Sequence, residues 1–186
     1  MINSSSMGES TGRFSRNVED VLKQAGWFPG RAVSDEELDP WCAFSWQGES
    51  GYCHAFPAAY RVLREFGGLV VEQELPGITC LRESFSTDPL SALGIDDHNW
   101  IFNQWDVDDV LFPLGWIGEQ KDRVLAITPR GRVYGFGYIP CLYGDTFDQA
   151  IDNLIIGIKP LQLIIHNSDL KGREAGQVKE AVQRLF

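Results

Sequence analysis

Between Phe66 and Leu69 the hydrophobic period of the chain changes from helical to strand-like, and this switch limits the possible folds more than any other feature. Upstream, Phe14, Val18, Val21 with Leu22, and Ala25 recur at helical spacing, with Ser15 able to cap the start and Gly26 at the stop. The segment Trp27-Phe28-Pro29-Gly30-Arg31 then breaks the helix, because proline lacks the amide donor and glycine supplies a turn. Ser34 and Glu37 have the spacing of a capping box, which predicts a second, short helix running towards Trp46. A third helix is predicted from Phe56, Ala59 with Tyr60, Leu63 and Phe66, with Pro57 in its first turn and Gly67-Gly68 at its end.

Downstream, Leu69-Val70-Val71 and Thr79-Cys80-Leu81 read as two strands joined by a turn at Pro76-Gly77. From Ser84 to Gly118 no clean period exists, so this stretch is expected to be irregular, with a helical turn near Leu90. Val124 to Thr128 and Arg132 to Ile139 are strand-like and flank Pro129-Arg130-Gly131, a good hairpin connection in which Gly131 is expected at positive φ. Asp145 with Asp148 opens a fourth helix whose Phe147, Ile151, Leu154, Ile155 and Ile158 share a face, ending at Gly157 and Pro160. Leu161 to Ile165 suits an edge strand or an extended arm, and Ala175, Val178, Val182 and Leu185 suit a terminal helix. Helices first, antiparallel hairpins later and a further helix after them predict the α+β class, not an alternating α/β fold.

Charge narrows the function. Sixteen Lys and Arg against twenty-six Asp and Glu leave the 186-residue chain at −10, a poor match for the phosphate backbone of nucleic acid. With no long apolar run and a polar, Ser-rich start, neither a membrane span nor a secretory signal is expected, and the cytoplasm is the expected location. Cys42, Cys53, Cys80 and Cys141 form no Cys-x-x-Cys pair and are expected to be free thiols. The acidity is local: from Glu83 to Gln120 eight carboxylates stand without one Lys or Arg, interleaved with Phe85, Trp100, Phe102, Trp105, Phe112 and Trp116. Two readings compete. Either the aromatics fill the core and the acids are a solvated face, or the stretch is a surface that reads a basic partner.

No set of residues meets the requirements of catalysis. Cys53-His54 are adjacent rather than convergent, with His98 and His166 the only other imidazoles. Asp96-Asp97-His98 with Asp106, Asp108 and Asp109 offers metal ligands but fits neither a calcium loop nor a zinc face. Gly131, Gly135 and Gly137 do not make a dinucleotide fingerprint. Arg130 to Phe136 has only a superficial likeness to an RNA-binding strand motif. The expectation is a binding module that is not an enzyme and carries no cofactor and no metal.

Three blocks in order carry a resemblance: Ala25-Gly26-Trp27-Phe28-Pro29-Gly30-Arg31, then Leu63-Arg64-Glu65-Phe66-Gly67-Gly68-Leu69, then Leu111-Phe112-Pro113-Leu114-Gly115 ahead of a hairpin through Gly131-Arg132-Val133-Tyr134. With the helix from Asp145 to Gly157, they resemble the SUKH superfamily of bacterial toxin-immunity proteins, and within it the third SUKH group. The resemblance implies a SUKH-like domain over 13–158 between a flexible polar leader, 1–12, and a C-terminal extension, 159–186. It also implies a non-enzymatic role: binding and neutralising a cognate polymorphic toxin, often a nuclease or nucleic-acid deaminase, in the producing cell. The other role open to SUKH-like domains is that of a scaffold or regulatory module without a toxin partner. Trp27, Pro29, Gly30, Gly67, Gly68, Pro113, Gly115 and Gly131 read as structural positions. The partner is expected at Asp96, Asp97, Trp100, Trp105, Asp106, Asp108 and Asp109, a placement that rests on charge rather than on the resemblance.

Overall fold

In the computed structural model the described residues are 12–45, 52–92, 110–137 and 139–163. The helices come first: α1 (Arg16–Gln24), α2 (Asp35–Cys42) and, after the short hairpin β1 (Ala43–Ser45) and β2 (Tyr52–His54), α3 (Pro57–Phe66). A seven-stranded antiparallel sheet follows in simple sequence order, β3 (Val70–Val71), β4 (Phe85–Ser86), β5 (Phe112–Ile117), β6 (Arg123–Ile127), β7 (Val133–Phe136), β8 (Cys141–Gly144) and β9 (Leu161–Gln162), with α4 (Phe147–Ile156) between its last two strands. The α+β architecture is the one the sequence predicts.

Local capping chemistry explains the helices. Ser15 Oγ accepts from the Val18 amide, and Ser34 and Glu37 form the reciprocal capping box. Pro57 opens α3, and the αL Gly157 closes α4. Three details differ from expectation. Helix α2 stops at Cys42, two residues after the helix-breaking Pro40, and the chain turns into β1 instead of continuing to Trp46. Thr146, not Asp145, caps α4 by accepting from the Gln149 amide. Tyr60 is exposed and off the buried face of α3.

The larger correction concerns the strands. Leu69 to Val71 does not pair with Thr79 to Leu81: β3 pairs with β4, Val70 opposite Ser86 and Val71 opposite Phe85. The stretch from Ser84 to Gly118, expected to be irregular, supplies both β4 and the six-residue β5, alongside a 3-10 turn at Pro89–Ala92 near the expected place. The run from Arg132 to Ile139 is strand only as far as Phe136, and β8 follows as a separate strand.

Every residue of β5 and β7 is buried, because the middle of the sheet is covered on both faces. Helices α1, α3 and α4 cover one face, where Phe112, Leu114, Ile117, Leu125, Ile127, Val133 and Tyr143 join Leu22, Leu63, Phe66 and Ile151. Val124, Ala126, Tyr134 and Phe136 form a second cluster on the opposite face, with Ala92 and Leu111. A bulge sets this partition. Pro113 pairs with Ala126 and Gly115 with Leu125, so Leu114 is the extra residue. The shift keeps Phe112, Leu114 and Ile117 in the helix-side core and leaves Trp116 opposite Val124.

Candidate functional site

Asp96, Asp97, Trp100, Trp105, Asp106, Asp108 and Asp109 lie outside the described residues. The ends of the same acidic stretch are described, and they are structural. Phe85, Phe112 and Trp116 are buried, with the Lys121 ammonium 4.9 Å from the centroid of the Trp116 ring. Asp88 holds the 3-10 turn by accepting from the Leu90 amide at 3.0 Å. For these residues the core reading of the aromatics is correct.

Cys53 and His54 sit next to each other on strand β2. Cys42, Cys80 and Cys141 are free thiols, and burial pushes each of them up, away from thiolate at neutral pH. Among the described residues no group of His, Cys, Asp and Glu is placed to hold a metal ion.

The motif residues around Trp27 build the helical layer. Trp27 stacks on Phe66 at 5.9 Å, Phe14 meets both rings edge-on, and Phe147 of α4 packs on Phe66 at 4.9 Å. Pro29 and Gly30 form the turn that places Arg31, whose guanidinium donates to the Glu65 and Gly67 carbonyls at 2.6 and 2.8 Å. Thr87 completes the cap: its hydroxyl donates to the Phe66 carbonyl, and the Leu69 amide donates to its Oγ1. Gly68, at φ +76°, makes the turn that lets the chain leave α3 and enter β3. Arg13 ties the layer from outside, bridging Glu65 of α3 and Asp148 of α4. Sequence pattern does not mark Arg13, and it places Arg31 in a motif without showing its role, since both act on partners distant in the chain.

The feature least expected is the connection from Glu72 to Ser84. It is an extended hairpin with a bridge between Pro76 and Leu81 and an Arg82 amide donating to the Leu75 carbonyl at 3.0 Å. Its tip lies across the C-terminal end of α4. The Ile78 amide donates to the Ile156 carbonyl at 3.0 Å, and the Thr79 and Cys80 amides donate to the Gly157 carbonyl at 2.9 and 3.1 Å. Gln73 Nε2 reaches the Leu154 carbonyl at 3.0 Å, and the Lys159 amide donates to Thr79 Oγ1 at 2.7 Å. The donors from Gln73, Ile78, Thr79 and Cys80 satisfy carbonyls at the helix end, which is why Thr79-Cys80-Leu81 does not form a ladder of its own.

At the base of this hairpin Glu83 meets Arg123 of β6 and Tyr143 of β8. Arg123 is ion-paired to Glu83 and donates to Tyr143 Oη at 2.7 Å, and the phenol donates to Glu83 Oε2 at 2.7 Å. Burial works against the Arg123 charge, but the hydrogen bond to Glu83 and the neighbouring negative groups outweigh it and hold the guanidinium proton more tightly than usual. Burial is also the main reason that the Tyr143 phenol is pushed well above its ordinary range. Glu83 is thus not a free surface acid.

No curated protein and no solved structure matches the chain. Among the described residues no helix is long and apolar enough to cross a membrane. A model of the SUKH-3 immunity protein family matches residues 14–157, from the Phe14 that packs under Trp27 to the Gly157 that closes α4. On that match, which spans the four described helices and the sheet as far as β8, the chain belongs to the SUKH-3 immunity protein family.

Proposed function

We propose that this protein is a cytoplasmic, non-enzymatic immunity protein that binds a cognate polymorphic toxin and neutralises it inside the producing bacterium. The family match over residues 14–157 carries this reading. We further infer that the toxin is basic and acts on nucleic acid, so that carboxylates of the immunity protein stand in for phosphates. Support comes from the uneven charge of the chain, in which Asp96, Asp97, Asp106, Asp108 and Asp109 fall within 83–120, where no Lys or Arg occurs. Trp100 and Trp105 would supply the buried centre of the interface and the carboxylates its rate and specificity.

The test uses the cognate toxin domain as the probe, sought first in the gene directly upstream. Reversal of Asp106, Asp108 and Asp109 to Lys is expected to lower the association rate by about tenfold or more at low salt. The difference should shrink near 1 M salt, where the Debye length falls to about 3 Å. Trp105→Ala is expected to speed dissociation instead. A triple Lys variant that binds and protects cells like the parent removes the phosphate-mimic reading.

A further inference from the structure

Among the described residues, three exposed large apolar side chains fall within seven positions of one another. Ile78 is 70% exposed, Leu81 66% and Leu75 58%, all within the 72–84 hairpin. Pro76 and Leu81 are paired across the ribbon and so share a face, and Pro76 is itself exposed. Gly77 faces the other way. A Cβ placed there would stand 2.5 Å from the Gly157 Cα and 2.7 Å from the Ile156 carbonyl, so this side of the ribbon lies directly on the helix end. The hairpin therefore has a backbone side fastened to α4 and an apolar side turned to solvent.

A mobile loop with these side chains would be ordinary, but this one is held. Its tip amides are bonded to Ile156 and Gly157, and its base is tied by Gln73 to Ser84 and by Glu83 to Arg123. Apolar groups fixed in place lose little conformational entropy on binding, and a clustered apolar patch on a fixed scaffold marks a contact surface. We propose that this hairpin tip, Pro76, Ile78 and Leu81 with Leu75 beside them, docks into an apolar depression with a basic rim on the toxin. The proposal rests on the immunity reading above and adds to the acidic stretch a second, apolar contact with the toxin.

Charge argues for the basic partner over a second copy. Glu72 and Glu74 are exposed on the first arm, Arg82 stands on the second and the exposed Lys159 lies beside the tip at Thr79, so the local charges balance and the bias comes from the chain as a whole, at −10. Two copies at −10 each repel one another, whereas a partner with a basic rim is drawn to the chain.

The experiment compares the full chain with a triple variant, Leu75→Ser, Ile78→Ser and Leu81→Ser, against the same cognate toxin domain. Binding kinetics, thermal melts and sedimentation of the free proteins are measured together. The expected result is an unchanged melt with binding about 100-fold weaker, mainly through faster dissociation. If the triple variant melts early, Ile78→Ser alone decides the matter, with a loss of about tenfold expected. Binding within threefold of the parent by a normally folded variant overturns the hairpin assignment and leaves the immunity reading standing. A parent that neither binds nor protects overturns the immunity reading, and the hairpin assignment falls with it. A parent dimer that the triple variant converts to monomer assigns the patch to self-association and also overturns the proposal.

Discussion

Gly115→Ala is expected to cost at least about 3 kcal/mol of folding stability, although it adds one methyl group. A Cβ at this position would lie 2.0 Å from the Ser86 carbonyl oxygen and 2.7 Å from its carbon. Both are backbone atoms of β4, so no side chain can swing aside. Movement is blocked on both sides as well: Phe85 is paired with Ile117, and Gly115 with Leu125 across the bulge. Separating β4 from β5 would also pull Thr87 away from the end of α3. Gly131 is the useful contrast. It sits in the β6–β7 turn at φ +92°, and nothing lies within 4 Å of the place an added methyl would take, so Gly131→Ala meets backbone strain alone, about 1 kcal/mol. Urea unfolding of the two variants beside the parent tests the distinction. A Gly115→Ala midpoint no lower than that of Gly131→Ala would show that β4 does not lie this close to β5.

Those two glycines also separate what can be read in the sequence from what cannot. Gly131 is legible because Pro129-Arg130-Gly131 between two apolar runs is a local turn signal, and local signals likewise place Ser15, the Ser34 and Glu37 box, and Pro57. Strand β5 is not legible. Pro113 and Gly115 argue against a strand, and the bulge at Leu114 together with burial on both faces removes the alternation by which a strand is recognised. Thr79-Cys80-Leu81 misleads for the opposite reason: its composition suits a strand, but the Thr79 and Cys80 amides are taken by the carbonyl of Gly157 at the end of α4, more than seventy residues away. The candidate surface divides the same way. A count of charges finds the acidic stretch, while the neutralisation of Glu83 by Arg123 and the outward turn of Ile78 and Leu81 depend on contacts between distant segments.

Arg123→Leu is expected to cost about 2–3 kcal/mol, towards the lower end of the range for breaking a buried ion pair, because both side chains keep some contact with solvent. The variant strands the Glu83 carboxylate and removes the donor to Tyr143. Leucine keeps carbons at the γ and δ positions that pack beneath Gly137, where a Cβ would meet Arg123 Cγ at 2.5 Å, so the cost falls on the charge and its hydrogen bonds. Much of that cost is the penalty of an unpaired buried charge, so Glu83→Leu in the same chain is expected to recover about 1–2 kcal/mol. Chemical denaturation of the two single variants and the double variant closes the cycle, and strict additivity would show that the pair contributes no coupling. Tyr143 provides an independent check through pH. Its folded phenol is raised above the ordinary value near 10, so its contribution is complete below pH 10 and is lost as the unfolded chain ionises above it. Tyr143→Phe should therefore flatten the alkaline decline in stability, and an unaltered slope would mean that another group causes it. Glu83 follows Leu81 by two residues, so the same network seats the hairpin proposed to meet the toxin. In Arg123→Leu the amides of Ile78, Thr79 and Cys80 should exchange with solvent faster than global unfolding accounts for, because the base that holds the hairpin on α4 has been released.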